Sequence, residues 1–471
     1  MSTAAASSNR IARSRTRVTT GSIRTAELLR GPAGSSRIDA PIFVLRDPLE
    51  SGPTLRPIVL TPGFQHYAWG DPTFIPQLFG LPMVGRPYAE AWFGAHPARP
   101  ALADVEGRKV PLDQLLAETP LAILGPEVAG RFSGLPFLFK ILAAAYPLSI
   151  QVHPSSAQAL LGFQRERAAG LALDAANRNY RDPRAKPELL VALTPFQALC
   201  GFRTVDEIAA GMDGVPELSA LLPGWQQASN PVQSLLGAYF DLSDEKVCPA
   251  LTQWVCRLAQ SRPLPDTVEA WIIDADRIFT VAGQPDRGLF FFLLLNLITL
   301  APGQGLFLPA GTPHAYLRGA GIEVMANSDN VLRAGLTAKH VDPRELISIL
   351  RFESRRPQVL GATYGDGADV TYPTAADAFE LHRLELGTTA TPEQAANGPE
   401  LLFFLGDTPA ASMEIECPLS GTIRLPPAGC CLMPHGTRYC MRTTGTGHVL
   451  RVSVPAPPTI RDCPKIPRTG A

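Results

Sequence analysis

The sequence predicts a mainly β protein: two β-sandwiches, the first interrupted by a helical insertion. Three observations carry this. Proline is abundant, at 46 of 471 residues, which favours turns, sheet edges and loops over long helices. Short β-type runs, bounded by turn residues, recur in both halves of the chain. Between them, 205–294 is rich in helix formers and carries fewer β-branched pairs.

Taken in order, residues 1–57 are expected to form a disordered extension. Arg10, Arg13, Arg15, Arg17, Arg24, Arg30 and Arg37 stand there among Ser, Thr, Ala and Gly, with no acid before Glu27. An organelle transit peptide and a dispensable tail both fit that composition. Strands are expected at 58–61, 137–140, 148–152, 189–193 and 198–202, with a helix over 155–170 capped by Ser155 or Ser156. Helices follow at 207–212, 231–242 and 244–260. Strand texture returns at 305–308 and 321–325. A helix is expected from 343 to about 350, capped by Asp342 with Pro343 in its first turn. Beyond 356, the runs at 400–405, 413–417, 429–433 and 448–454 suggest a second sandwich. The expected domains are therefore 58–204 with 295–355, the helical block 205–294, and 356–471.

Composition excludes several classes. The balance of 42 Lys+Arg against 43 Asp+Glu leaves a formal charge of −1, so no global field draws nucleic acid or anionic lipid. The longest apolar run, 289–300, is broken by Asn296 and Thr299 and falls short of the ~20 residues that span a bilayer. Eight cysteines include no CxxC pair, which argues against a cysteine zinc ribbon and for free thiols in a reducing, cytoplasmic setting.

Four segments carry candidate chemistry. In LSIQVHP (148–154), Gln151 and His153 are two apart on a predicted strand and share a face. They could begin a metal site or line a hydrogen-bonded surface. Glu188 leads into an apolar strand, where a buried carboxylate needs a cation or a metal; Lys186 is one available partner. His314 follows a strand and turn (303–316), a pattern of ligands at the mouth of a β-barrel, or simply of a surface loop. In 323–340, Arg333 and Lys339 could hold a phosphate, the first as a bidentate fork and the second as a point charge.

Taken together, these segments resemble type I phosphomannose isomerase, of the cupin superfamily. The resemblance rests on TPGFQHYAWG (61–70), YAEAWFGAHP (88–97), LPFLFK (135–140), LSIQVHP, KPE (186–188), ALCGFR (198–203), LLLN (293–296), PHAY (313–316) and SDNVLRAGLT (328–337), in this order. It covers about 58–350 closely and the C-terminal sandwich loosely. It implies jelly-roll sandwiches and one zinc ion, held by Gln151, His153, Glu188 and His314. It also implies a catalytic Arg333, and a pocket that includes Trp69, Glu90, Lys140, Ser149, Lys186, Tyr316, Glu323, Asp329 and Lys339. The C-terminal sandwich, with His435 and His448 but no matching carboxylate and amide, is expected to be metal-free.

The implied reaction interconverts mannose 6-phosphate and fructose 6-phosphate through a cis-enediol. It would serve either GDP-mannose synthesis or mannose catabolism. Arg333 stays protonated and is a poor base. Lys186 and Glu323 are the better proton carriers, and Lys186 is favoured because it lies two residues from a ligand. One departure stands out: many family members have His immediately before KPE, where this chain has Ala185, and a mechanism that needs that imidazole would fail. The competing reading is a non-catalytic cupin that binds a sugar phosphate. The expected partner is a small sugar phosphate, with no nucleic acid, no membrane and a monomeric chain.

Overall fold

The computed structural model describes residues 56–361 and 370–457. The expected disordered extension lies outside the described residues, apart from Arg56 and Pro57.

The protein is mainly β, with three sheets and a helical block. An 11-stranded antiparallel sheet is organised by the long strand His314–Ala326. The first part of this strand pairs with Phe196–Phe202 and touches Ile150–Val152, and the rest pairs with Phe137–Ala144 and Glu188–Ala192. The change of partners falls at Gly319, where φ is +128° and an added Cβ would meet Phe196 Cδ2 and the Pro195 carbonyl oxygen, both at 2.7 Å. Only glycine takes that corner without strain. Short strands Ile150–Val152 and Leu332–Gly335 pair with each other beside the first part.

An 8-stranded sheet forms the middle layer. Its Glu400–Gly406 strand alternates cleanly: Leu401 and Phe403 pack toward the large sheet, with Phe93 and Phe139, while Leu402 and Phe404 join Met413, Ile415 and Met441 of the outer four-stranded sheet. Both faces are therefore apolar, as a sheet buried on two sides requires.

This layer departs from the expected domain boundaries. Ile58–Thr61 pairs with Cys430–Met433 on one side and Leu102–Val105 on the other, and Leu102–Val105 pairs with Arg108–Pro111. Strands from the segment assigned to the first sandwich, of which only 58–61 was expected, thus join the sheet that holds Glu400–Gly406 and Cys430–Met433. Glu90–Phe93, wholly buried, was not anticipated either, nor were helices Leu112–Glu118 and Pro120–Arg131.

The helical block matches the sequence reading closely. Helices Val205–Asp213, Pro231–Asp241, Asp244–Ser261 and Val268–Phe279 enclose one apolar core, which also takes in Ile150, Val152 and Leu332 from the strands beside the site. Thr204 and Ser155 each close a capping box, with Glu207 and Gln158 respectively. The long apolar run divides into a short helix, Phe291–Leu294, and a strand, Leu295–Leu300. No helix among the described residues is long and apolar enough to cross a membrane.

Candidate metal centre and active site

Among the described residues, His153, Glu188 and His314 form a buried group whose ligating atoms lie within 4.8 Å of one another. Sheet register builds it. Glu188 starts its strand opposite Leu308 and Met325. Gln151 lies opposite His314 on one side and opposite Arg333 on the other. Ile150 and Val152 are buried in the helical core, so alternation turns Gln151 to the other face, into the cavity.

The hydrogen bonds of the two imidazoles fix their ligating atoms. His153 donates from Nδ1 to the Asn330 carbonyl at 2.7 Å, and His314 from Nδ1 to the Thr312 carbonyl at 3.0 Å. A carbonyl only accepts, so each Nδ1 carries hydrogen and each neutral ring keeps its Nε2 lone pair. Burial pushes the His153 pKa below its ordinary value, which favours that neutral form. Those lone pairs face Glu188, with His153 Nε2 at 3.2 Å from Oε1 and His314 Nε2 at 3.4 Å from Oε2. Burial opposes ionisation of Glu188, but Lys186, 2.9 Å away, together with His153 and His314 outweighs it and holds the carboxyl well below the usual range. His153 Nε2 has no hydrogen-bond donor. Buried lone pairs that converge on a carboxylate repel unless a cation lies among them. The donor set of two imidazoles and a carboxylate, with an adjacent amide, fits zinc.

Asn330 joins the site's loops. It is fully buried, donates from Nδ2 to the Asp182 and Arg184 carbonyls at 2.7 Å each, and accepts from the Arg181 amide at 2.7 Å. The same residue's carbonyl orients His153, so the segment before KPE and the segment before Arg333 are fixed to that imidazole together.

A cavity of about 680 Å³ opens onto this centre. Trp69, Glu90, Lys140, Ser149, Gln151, Lys186, Glu188, His314, Tyr316, Glu323, Asp329, Arg333 and Lys339 all line it. His153 lies behind, 1% exposed. On one wall, Lys140 donates to Glu323 at 2.8 Å and lies 3.5 Å from Glu90. Tyr316 donates to the other Glu323 oxygen at 2.9 Å, and Trp92 to Glu90 at 2.8 Å. Burial, and then Glu323, push the Tyr316 pKa well up, so it remains a neutral donor. Both oxygens of Glu323 are therefore occupied, which weakens its expected part as a proton carrier.

Arg333 and Lys339 provide the opposite charge. Burial lowers both pKa values, and Arg181 lowers them further; Arg333 adds to the effect on Lys339. Mutually repelling cations, Arg333 half-buried and Lys339 at the exposed rim, are relieved by an anion.

The structure revises the concern over Ala185. That residue lines a second cavity of about 660 Å³, together with Arg131, Ser133 and Arg184, and is absent from the walls of the first. Lys186 and Glu188 face the first cavity while Arg184 and Ala185 face the second.

Sequence reasoning missed several wall residues: Tyr67, stacked on Trp69 with ring centroids 5.7 Å apart, Trp92, His96, and Ile278 and Phe279 from the helical block. Tyr67, Trp92 and His96 all fall inside quoted motifs, but nothing in their spacing set them apart.

The family model for the phosphomannose isomerase type I catalytic domain matches residues 58–205. Mannose-6-phosphate isomerase of Salmonella typhimurium is 40% identical over 339 residues, which is 70% of this chain and 85% of that protein. The Homo sapiens mannose-6-phosphate isomerase is 36% identical over 314 residues, 61% of this chain and 71% of that one. A crystal structure of the Salmonella typhimurium enzyme bound to substrate and zinc superimposes with a TM-score of 0.76 at 35% identity, covering 85% of this chain and 100% of that one. With its ordered motifs and its His-Glu-His group inside a cavity, the chain belongs to the type I mannose-6-phosphate isomerase family.

Proposed function

We propose that the protein is a zinc-dependent aldose–ketose isomerase that interconverts mannose 6-phosphate and fructose 6-phosphate. The observation that carries this is the meeting, at one cavity, of Glu188 and His314, backed by the buried His153, with the Arg333 and Lys339 cations. The intact ligand set favours catalysis over mere binding.

When bound, zinc supplies a redox-inert positive charge beside the oxygens on which enediol charge develops. His153, Glu188, His314 and Gln151 would hold it. Lys186 is the proton carrier between C1 and C2, its amine beside a ligand and on the cavity wall. Arg333, beside Gln151 in register, faces the developing negative charge, and Lys339 binds the phosphate. Glu323 and Glu90 hold Lys140 and the aromatic wall in place. Trp69, Ser149, Tyr316 and Asp329 contact the sugar.

The architecture reads as two jelly rolls of the cupin type. The catalytic one spans 58–204 and 295–355 around the helical insertion, and the second spans 356–471, with Ile58–Thr61, Leu102–Val105 and Arg108–Pro111 completing its sheet. A monomer is the proposed state, and the free thiols among the described residues suit the cytoplasm.

A coupled assay on mannose 6-phosphate, with chelated and zinc-restored protein in parallel, tests the reading. Activity lost to the chelator and recovered with zinc is the expected result. Folded, zinc-loaded protein without activity would leave only a sugar-phosphate binder.

A further inference from the structure

We infer that His96 is a positioning residue, an imidazole locked as an Nε2–H donor that fixes the Asp329 carboxylate on the wall of the catalytic cavity. The inference rests on the isomerase reading, in which Asp329 contacts the sugar. The tautomer follows from two hydrogen bonds. The Ala98 amide donates to His96 Nδ1 at 3.2 Å, so that nitrogen must be the acceptor. The proton therefore sits on Nε2, which lies 3.1 Å from Asp329 Oδ1.

The surroundings make this a one-way arrangement. His96 is 6% exposed and packs edge-on against Trp92, with ring centroids 5.1 Å apart. That indole is held in turn by Glu90. Asp329 is the open partner: its side chain is 54% exposed and lines the cavity. Among the described residues, no other side chain donates to its carboxylate. A carboxylate on a loop that must meet a sugar hydroxyl gains most from a rigid donor behind it, because misplacement is costly to catalysis. His96 reaches across 233 residues of sequence to provide that donor.

The charge state of Asp329 supports the same role. The His96 hydrogen bond holds its carboxyl below the usual value, against burial, with Lys186 and Arg181 adding to the effect. The other groups facing it are the Tyr67 phenol and Asp182, whose carboxylate accepts from the Asp329 amide at 2.8 Å.

The experiment uses the zinc-loaded full chain with His96→Phe, His96→Gln, Asp329→Asn and the double variant His96→Phe/Asp329→Asn. Phenylalanine keeps the packing against Trp92 without a donor, while glutamine restores an N–H at similar reach. The expected result for His96→Phe is kcat/KM lower by roughly 10- to 100-fold, the size of one hydrogen bond to a charged group. Zinc content should be unchanged, and the acid limb of the pH profile should move to higher pH because Asp329 loses its donor. His96→Gln should recover most of the loss, and the double variant should be no worse than Asp329→Asn alone. Full activity in His96→Phe, equal losses in the Phe and Gln variants, or additive losses in the double variant would each overturn the inference. If His96→Phe loses zinc or fails to fold, the comparison of His96→Gln with Asp329→Asn decides it: a wild-type pH profile in the first and a shifted one in the second supports the role, and like profiles overturn it. Wild-type activity on mannose 6-phosphate, measured alongside, separates failure of this inference from failure of the isomerase reading.

Discussion

Glu323 and Lys140 are register partners on neighbouring strands, and their charged ends meet at 2.8 Å in a wall where both are nearly fully buried. Burial opposes the Lys140 charge, but Glu323 and then Glu90 outweigh it and push its pKa upward, so the ammonium is favoured. A cation fixed between two carboxylates is part of the framework. Removing one member leaves an uncompensated buried charge. Lys140→Met is therefore expected to cost about 3–5 kcal/mol of folding stability. Equilibrium urea unfolding would measure it, and a loss below about 1 kcal/mol would count against this account.

Lys186 has a different position. It pairs with Glu188 on the cavity wall, where that carboxylate also faces both imidazoles. Lys186→Met should abolish turnover while zinc remains bound, because the ligand atoms are untouched. Zinc content by atomic absorption and a coupled assay give the two readings. Retained turnover would remove Lys186 from the proton path.

Ala185 gives the opposite prediction. Its side chain lines the second cavity, so Ala185→His should leave kcat within about twofold and zinc content unchanged, because the new imidazole would not reach the reacting carbons. A large gain in kcat would show that the imidazole does reach them.

Acid sensitivity should arise partly in the C-terminal region. Burial, and then Arg383, lower the His448 pKa to about 4. The folded protein keeps this ring neutral while the unfolded chain takes up a proton near pH 6.5. Its stabilising contribution is thus present above pH 6.5 and lost as pH falls toward 4, about 3 kcal/mol at the limit. His448→Gln should flatten the stability profile over that window, as read by urea midpoints at pH 7 and pH 4.5. An unchanged slope would exclude His448 as the source.

Most of the candidate site was legible because its candidate ligands lie in short, ordered motifs. Gln151 and His153 share a strand, Glu188 opens another, and alternation sets their faces. The rest depended on pairing over long distances. His96 is one imidazole in a loop until Asp329 comes beside it. The orientation of Ala185 depends on which face of an extended segment meets the metal group, and no residue type announces that. The helical block was readable from its wealth of helix formers and its few β-branched pairs, which are local signals. Strands Leu102–Val105 and Arg108–Pro111 were not, being four residues each and partly polar.

The pairing of Ile58–Thr61 with Cys430–Met433 also sets a timetable for the newly made chain. The two strands are separated by about 370 residues. At roughly 5–20 residues per second, ribosomal synthesis separates their appearance by about 20–75 s. For that interval the edge of Ile58–Thr61 that will meet Cys430–Met433 has no partner from its own chain, and Leu60 lacks part of the core that will cover it. The middle sheet can close only after Cys430–Met433 has been made, so the strands beside Ile58–Thr61 wait for partners encoded far downstream.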